Sequence, residues 1–203
     1  MEETLTLIQS QITGCRLCAD RFAATETRHA PRPVVRPSTT ARVLIVGQAP
    51  GARVHASGIP FDDRSGDRLR DWLGVDRATF YDQSRLAIVP MAFCFPGYRK
   101  GSDLPPPPIC ARTWRAGLMA AMPQIELILV IGQYAQGWHM GAEKKRTVTD
   151  TVRAWREYTP HLLPLPHPSW RNTAWLRRNA WFEEEVLPWL KAEVARLVGS
   201  PGR

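Results

Sequence analysis

Two patterns in this chain can hold a metal or polarise a bond. Cys15-Arg16-Leu17-Cys18 places two thiols one turn apart, close enough to grip a single metal centre. Cys94 and Cys110 supply two more, joined by the proline-rich stretch PGYRKGSDLPPPPI. The chain has four cysteines, so none is left over. Four soft thiolates suit an iron–sulfur cluster or a zinc ion equally well, and spacing alone does not choose. Far downstream, His167 stands between Pro166 and Pro168, which fix the backbone around it. Gln48 lies in GQAPG, directly after an apolar run. Its amide can orient a water but cannot take the water's proton. Phe61, Asp62 and Asp63 follow in the next stretch, with His55 as a further titratable group just before them.

These residues need elements that bring them together. Val43-Leu44-Ile45-Val46 is short, apolar and rich in β-branched residues, and it meets Gly47 abruptly. Such a run reads as a strand buried on both faces of a parallel sheet, with a tight loop at its carboxyl end. Leu86–Met91 and Leu127–Ile131 read as two more buried strands, and Leu162–Leu165 as a short edge strand. Helices are expected over residues 3–14, from Ser65 (as N-cap) to Leu73, over 111–122, over 147–158 and over 181–198 with a break at Pro188. Residues 29–40 and 96–109 read as extended or looped segments. Alternating strands and helices predict an α/β fold, a three-layer sandwich with a central, mostly parallel sheet, formed by residues 1–203 as a single domain. The loops GQAPG, 90–95 and HPSWRN would then meet at one rim, where open α/β sheets place their ligands.

Composition narrows the partners. With 27 Lys+Arg against 19 Asp+Glu, the formal charge is +8, which favours a polyanion, nucleic acid first and an anionic membrane second. The amino-terminal MEETLTLIQSQITGC lacks the pattern of a secretory signal, and no apolar run approaches a membrane span. A soluble, cytoplasmic monomer is expected, with thiols kept reduced and free for metal. A nucleotide hydrolase is disfavoured, because the glycine loop lacks a phosphate-gripping lysine.

Val46-Gly47-Gln48-Ala49-Pro50-Gly51, then Gly58-x-Pro60-Phe61, then His167-Pro168-Ser169 resemble the uracil-DNA glycosylase superfamily, and the four cysteines resemble its iron–sulfur branch. The resemblance implies a [4Fe–4S] cluster held by Cys15, Cys18, Cys94 and Cys110. It implies a DNA glycosylase that flips uracil out of DNA, single- or double-stranded, and hydrolyses its N-glycosidic bond, starting base excision repair. His167 would aim a donor at the uracil O2, and Phe61 would stack on the flipped base beside the loop of Gly47 and Gln48. Ser169 and Arg171 lie where a hydroxyl and a guanidinium could reach the flanking phosphates. Asn172 would contact DNA or cap the helix that follows. No lysine stands in these motifs, so water rather than a Schiff-base amine is the expected nucleophile.

Two positions depart from that branch. Its first motif normally carries glutamate where this chain has Gln48, so Asp62 or Asp63 is expected to supply the carboxylate that orients the water. An asparagine that reads the uracil edge is replaced by Pro90, leaving Gln48, Asn172 or Gln133 to supply an amide. The alternative reading is a protein of the same fold that holds damaged or abasic DNA without efficient turnover.

Overall fold

The computed structural model describes residues 2–199. Helix α1 (Glu2–Thr13) and the single turn α2 (Ala19–Ala23) flank the first cysteine pair. Strand β1 (Val43–Val46) is buried throughout, and α3 (Ala52–Ser57), α4 (Arg64–Leu73) and α5 (Arg77–Tyr81) lead from it to β2 (Leu86–Ile88). A small hairpin, β3 (Tyr98–Arg99) and β4 (Ser102–Asp103), precedes α6 (Pro108–Ala120). Then come β5 (Leu127–Ile131), α7 (Gly132–Met140), α8 (Val148–Arg153), β6 (Leu162–Leu165), α9 (Thr173–Arg178) and α10 (Leu187–Val198).

The sheet runs β2-β1-β5-β6, and every neighbouring pair is parallel. All four carboxyl ends therefore share one rim. Residues in β1 alternate between two cores, as a two-sided strand requires. Val43 and Ile45 pack with α4, α9 and α10, whereas Leu44 and Val46 pack with α1, α6 and α7. Helices thus cover both faces of the sheet. This is the three-layer α/β fold that the alternation of elements predicts.

The proline-rich segment before β1 does more than cross the surface. Arg36 exchanges two backbone bonds of 2.8 Å with Ile88, and Val34 N–H reaches the Phe93 carbonyl at 2.7 Å. It therefore covers the outer edge of β2, which would otherwise present unpaired backbone.

Several boundaries differ from expectation for local reasons. Strand β2 stops at Ile88 rather than Met91 because Pro90 has no N–H to offer the ladder. Helix α4 starts at Arg64, and its N-cap is Asp63, not Ser65: the Asp63 Oδ1 accepts from Gly66 N–H at 2.9 Å. The segment 147–158 forms α8 and then a separate 3₁₀ turn, Trp155–Glu157, since β-branched residues make it a weak helix. Before α10, residues Phe182–Val186 form a π turn, and Pro188 sits in the first turn of the α-helix. Proline cannot bond the preceding turn and crowds it, which widens the helix there. Helix α7 was not expected, because GQYAQGWHM carries two glycines. Tertiary packing holds it: Ala135, Gln136 and Met140 are buried, and the Gln136 amide donates to the Leu165 carbonyl at 3.1 Å.

Candidate active site

The carboxyl rim of the sheet carries a cavity of about 390 Å³, within the range of small-molecule sites. The loop after β1 lines it with Gly47 and Gln48, the segment after β2 with Pro90, and the loop after β6 with His167, Ser169 and Arg171. The β1 and β2 loops continue to pair beyond the strands: Met91 N–H reaches the Gly47 carbonyl at 2.9 Å, and Ala92 N–H reaches that of Gln48 at 3.1 Å. The floor is therefore an extension of the sheet itself.

Phe61 enters from the segment between α3 and α4. Its backbone has φ +54°, a left-handed conformation that is costly for an aromatic residue. Two glycines and a cap hold it there. A Cβ at Gly66 would run into the Phe61 carbonyl, and a Cβ at Gly47 would stand 3.3 Å from the Phe61 ring. The Tyr81 hydroxyl fixes the preceding Pro60 carbonyl at 2.9 Å. The ring meets Phe80 edge-on, with centroids 6.1 Å apart, and its other side borders the cavity.

His167 is held more tightly than its flanking prolines require. Ser169 N–H donates to His167 Nδ1 at 3.1 Å. That bond leaves the proton on Nε2, so the free edge of the ring is a donor. Burial pushes the His167 pKa below its ordinary value, and the charges of Asp63 and Asp103 oppose that shift. Asn172 donates its amide to the His167 carbonyl at 2.7 Å and does not line the cavity. That bond ties its side chain to the His167 loop, and it makes no side-chain cap to the helix that follows. From across the cavity, Arg68 of α4 donates to the Ser169 carbonyl at 2.8 Å and to the Thr173 hydroxyl at 3.2 Å. The Ser169 hydroxyl itself accepts from Arg171 N–H at 3.2 Å.

The two expected carboxylates separate. Asp63 lines the cavity while capping α4 through one oxygen. Asp62 does not line it; its carboxylate turns outward to Arg77 at 3.2 Å. His55 is also elsewhere, packed edge-on against His29 with centroids 4.9 Å apart. Gln133 is exposed at the start of α7 and outside the cavity, so Gln48 is the amide of the three candidates that faces it. Four lining groups were not singled out from the sequence: Arg53, Arg64, Trp170 and Asp103. Trp170 is 64 % exposed at the rim, next to Arg171 in HPSWRN. Asp103 arrives on the β3–β4 hairpin, whose turn residues Lys100 and Gly101 both have positive φ, as tight hairpin turns demand. A glycine in RKGSD was the only local signal for that hairpin.

The four cysteines line a second, mostly apolar cavity together with Phe22, Phe93 and Trp114. None is in a disulfide. Burial and then the Cys110 thiol push Cys94 up to about 12, and burial pushes Cys110 up to about 11; Cys18 is raised by burial and by Cys15. Among the described residues, no set of three or more His, Cys, Asp or Glu side chains is already drawn around a common ion. The cavity they line measures about 20 Å³. The residue types suit a thiolate-held centre: four cysteines from three segments line this one cavity, with no carboxylate or imidazole in the lining.

The model of the Uracil DNA glycosylase superfamily matches residues 34–191 of this sequence. That is more than half of the chain, and the chain belongs to the superfamily. Membership sets its chemistry as glycosylase-type. Cys94 and Cys110 fall inside the matched span and Cys15 and Cys18 before it. No helix among the described residues is long and apolar enough to cross a membrane.

Proposed function

We propose that this protein hydrolyses the N-glycosidic bond of uracil in DNA. The observation that carries the proposal is the neutral His167, with its Nδ1 occupied by Ser169 N–H and its Nε2 donor free, in one cavity with Phe61. A uracil swung out of the stack would lie against the Phe61 ring. As the bond from C1′ to N1 breaks, its electron pair moves onto the base and negative charge grows at O2. A fixed Nε2–H donor stabilises that charge without first having to reorganise. Water completes C1′ and releases a proton. The second oxygen of Asp63 and the amide of Gln48 would orient that water, and Gln48 would also bond the uracil edge. No lysine lines the cavity, in keeping with water as the nucleophile. Arg53, Arg64 and Arg171 ring the mouth, where phosphates of a bent strand would pass.

The second part of the reading is a [4Fe–4S] centre on Cys15, Cys18, Cys94 and Cys110. Such a group would supply metal–thiolate bonds that tie the amino-terminal turn to the segment after β2.

Uracil-containing single- and double-stranded oligonucleotides, incubated with the protein and then treated with alkali, test the activity. Cleavage at uracil and not at thymine is expected; intact strands at enzyme excess overturn it. A second reading rests on Gln48 and on the capping duty of Asp63, which leave the water without a dedicated base. Tight binding to an abasic duplex with no strand cleavage would establish that holding role instead.

A further inference from the structure

Arg115 lies on α6 and is 2 % exposed. One Nη donates to the carbonyls of Val89, at 3.0 Å, and Pro90; the other contacts His139 Nε2 at 3.3 Å. Its Nε has no partner. Among the described residues no carboxylate lies within ion-pair distance of it, although eight other ion pairs form in the molecule. His139 cannot compensate the charge. Burial and then Arg115 itself push its pKa down to about 4, so the imidazole is neutral and its Nε2 accepts from the guanidinium. Carbonyls and a neutral ring solvate a guanidinium but do not neutralise it, and a buried cation left in that state is strongly unfavourable.

The groups that can become anionic nearby are the thiols. Cys110 stands on the same helix five residues before Arg115, Trp114 beside Arg115 lines the cysteine cavity, and the carbonyls that Arg115 holds belong to the segment that leads to Cys94. Cys110 in turn shares its cavity with Cys15, Cys18 and Cys94.

We infer that Arg115 is the internal countercharge of a thiolate centre formed by these four cysteines. The inference rests on the thiolate-centre reading above but not on the choice of metal. Four thiolates outweigh the charge of either a zinc ion or a [4Fe–4S] core by about two units. A single buried guanidinium offsets part of that excess, and the centre offsets the guanidinium. Because Arg115 also holds the Pro90 carbonyl, the same side chain links the cysteine cavity to the wall of the active site.

The test separates charge from hydrogen bonding with three substitutions in the full chain. Arg115→Lys keeps the charge but loses the fork; Arg115→Gln keeps donors and loses the charge; Arg115→Met keeps neither. Metal per chain is measured on each purified protein, followed by the rate of metal loss to excess chelator, read as bleaching of the visible band for iron and as formation of the chelator complex for zinc. The lysine variant should lose metal within about twofold of the wild-type rate, and the two neutral variants about tenfold faster or emerge without metal. Neutral variants that fail to fold beside a metal-bearing lysine variant give the same answer. A lysine variant that behaves like the neutral ones, or a glutamine variant that keeps its metal as long as wild type, overturns the countercharge alone. Wild-type protein that is metal-free as isolated, and takes up neither iron nor zinc, overturns the centre and the countercharge together.

Discussion

The rim cavity and the cysteine cavity share the segment that leaves β2, yet they are built differently. Pro90 faces the first, while Phe93 and Cys94 face the second. The rim cavity is wide, half polar and half apolar, and stands on strand ends whose backbone pairing continues beneath it. The cysteine cavity is narrow and apolar, and its walls are loops, single turns and one helix start. The sheet pre-organises one before any ligand arrives, as catalysis needs. The other, on the proposed reading, would be finished by a bound group, as structural metal sites are.

Removing thiols should sharpen that contrast most. Cys94→Ser or Cys110→Ser is expected to abolish the yellow-brown absorbance near roughly 400 nm and to lower the melting temperature, because the connecting loop has little apolar surface of its own. A colourless wild type holding stoichiometric zinc would leave the cavity comparison intact and replace the cluster.

At the rim, His167→Ala should slow single-turnover excision by about 100- to 1,000-fold while leaving affinity for an abasic duplex nearly unchanged. A variant within about twofold of wild type removes His167 from the chemistry. The acid limb of the rate profile reports the same residue. Burial holds the His167 pKa below the ordinary histidine value, so excision should persist as pH falls through about 6.5 and decline only below it. Stability follows the same sign. The unfolded chain takes up a proton that the folded ring resists, so the contribution of His167 diminishes as pH drops below about 6.5. Asp63→Asn removes a charge that favours the imidazolium and should move the acid limb lower still.

That same Asp63→Asn change should slow excision by roughly tenfold, the low end for a lost acid–base group being larger still. Asparagine caps a helix about as well as aspartate and its Oδ1 can still accept from Gly66 N–H, so the melting temperature should change little. Asp62→Asn, whose carboxylate faces Arg77, should leave excision unchanged. If Asp62→Asn slows the reaction and Asp63→Asn does not, the assignment of the water-facing acid is reversed. The smallest effect belongs to Arg171→Ala. Exposed at the mouth, it should weaken binding to all sequences alike and reduce the salt slope of affinity by about one.

Legibility followed the range of the interactions. The buried strands and the loops that leave them were readable, since each announces itself within a few residues, and the cysteines stood out because the chain has only four. Both His167 and Gln48 stood out through short motifs that resemble those of the superfamily, His167 also through its flanking prolines. What fixes them could not be read, because Arg68 reaches the Ser169 carbonyl from a different helix. Asp62 and Asp63 look equivalent in sequence; only the start of α4 decides which turns inward. Asp103 lay hidden in a stretch read as loop, carried to the cavity by two residues with positive φ. Helix α7 was invisible for the opposite reason. Its propensity is poor, and burial against the sheet compensates.

The cysteines bracket only part of the chain. Cys15 and Cys18 precede β1, and Cys94 and Cys110 follow β2, so a bond among them would close a loop around β1, α3, α4, α5 and β2. Strands β5 and β6 and the helices after them lie outside that loop. Gln48, Phe61 and Pro90 therefore belong to the enclosed half, and His167 to the open one. The two halves would then open as separate cooperative units in native-state hydrogen exchange. Stripping the proposed centre should raise exchange in β2 and its covering strand while the amides of β5 change least. The rim cavity would come apart along its own midline, with the histidine left on the side that stays folded.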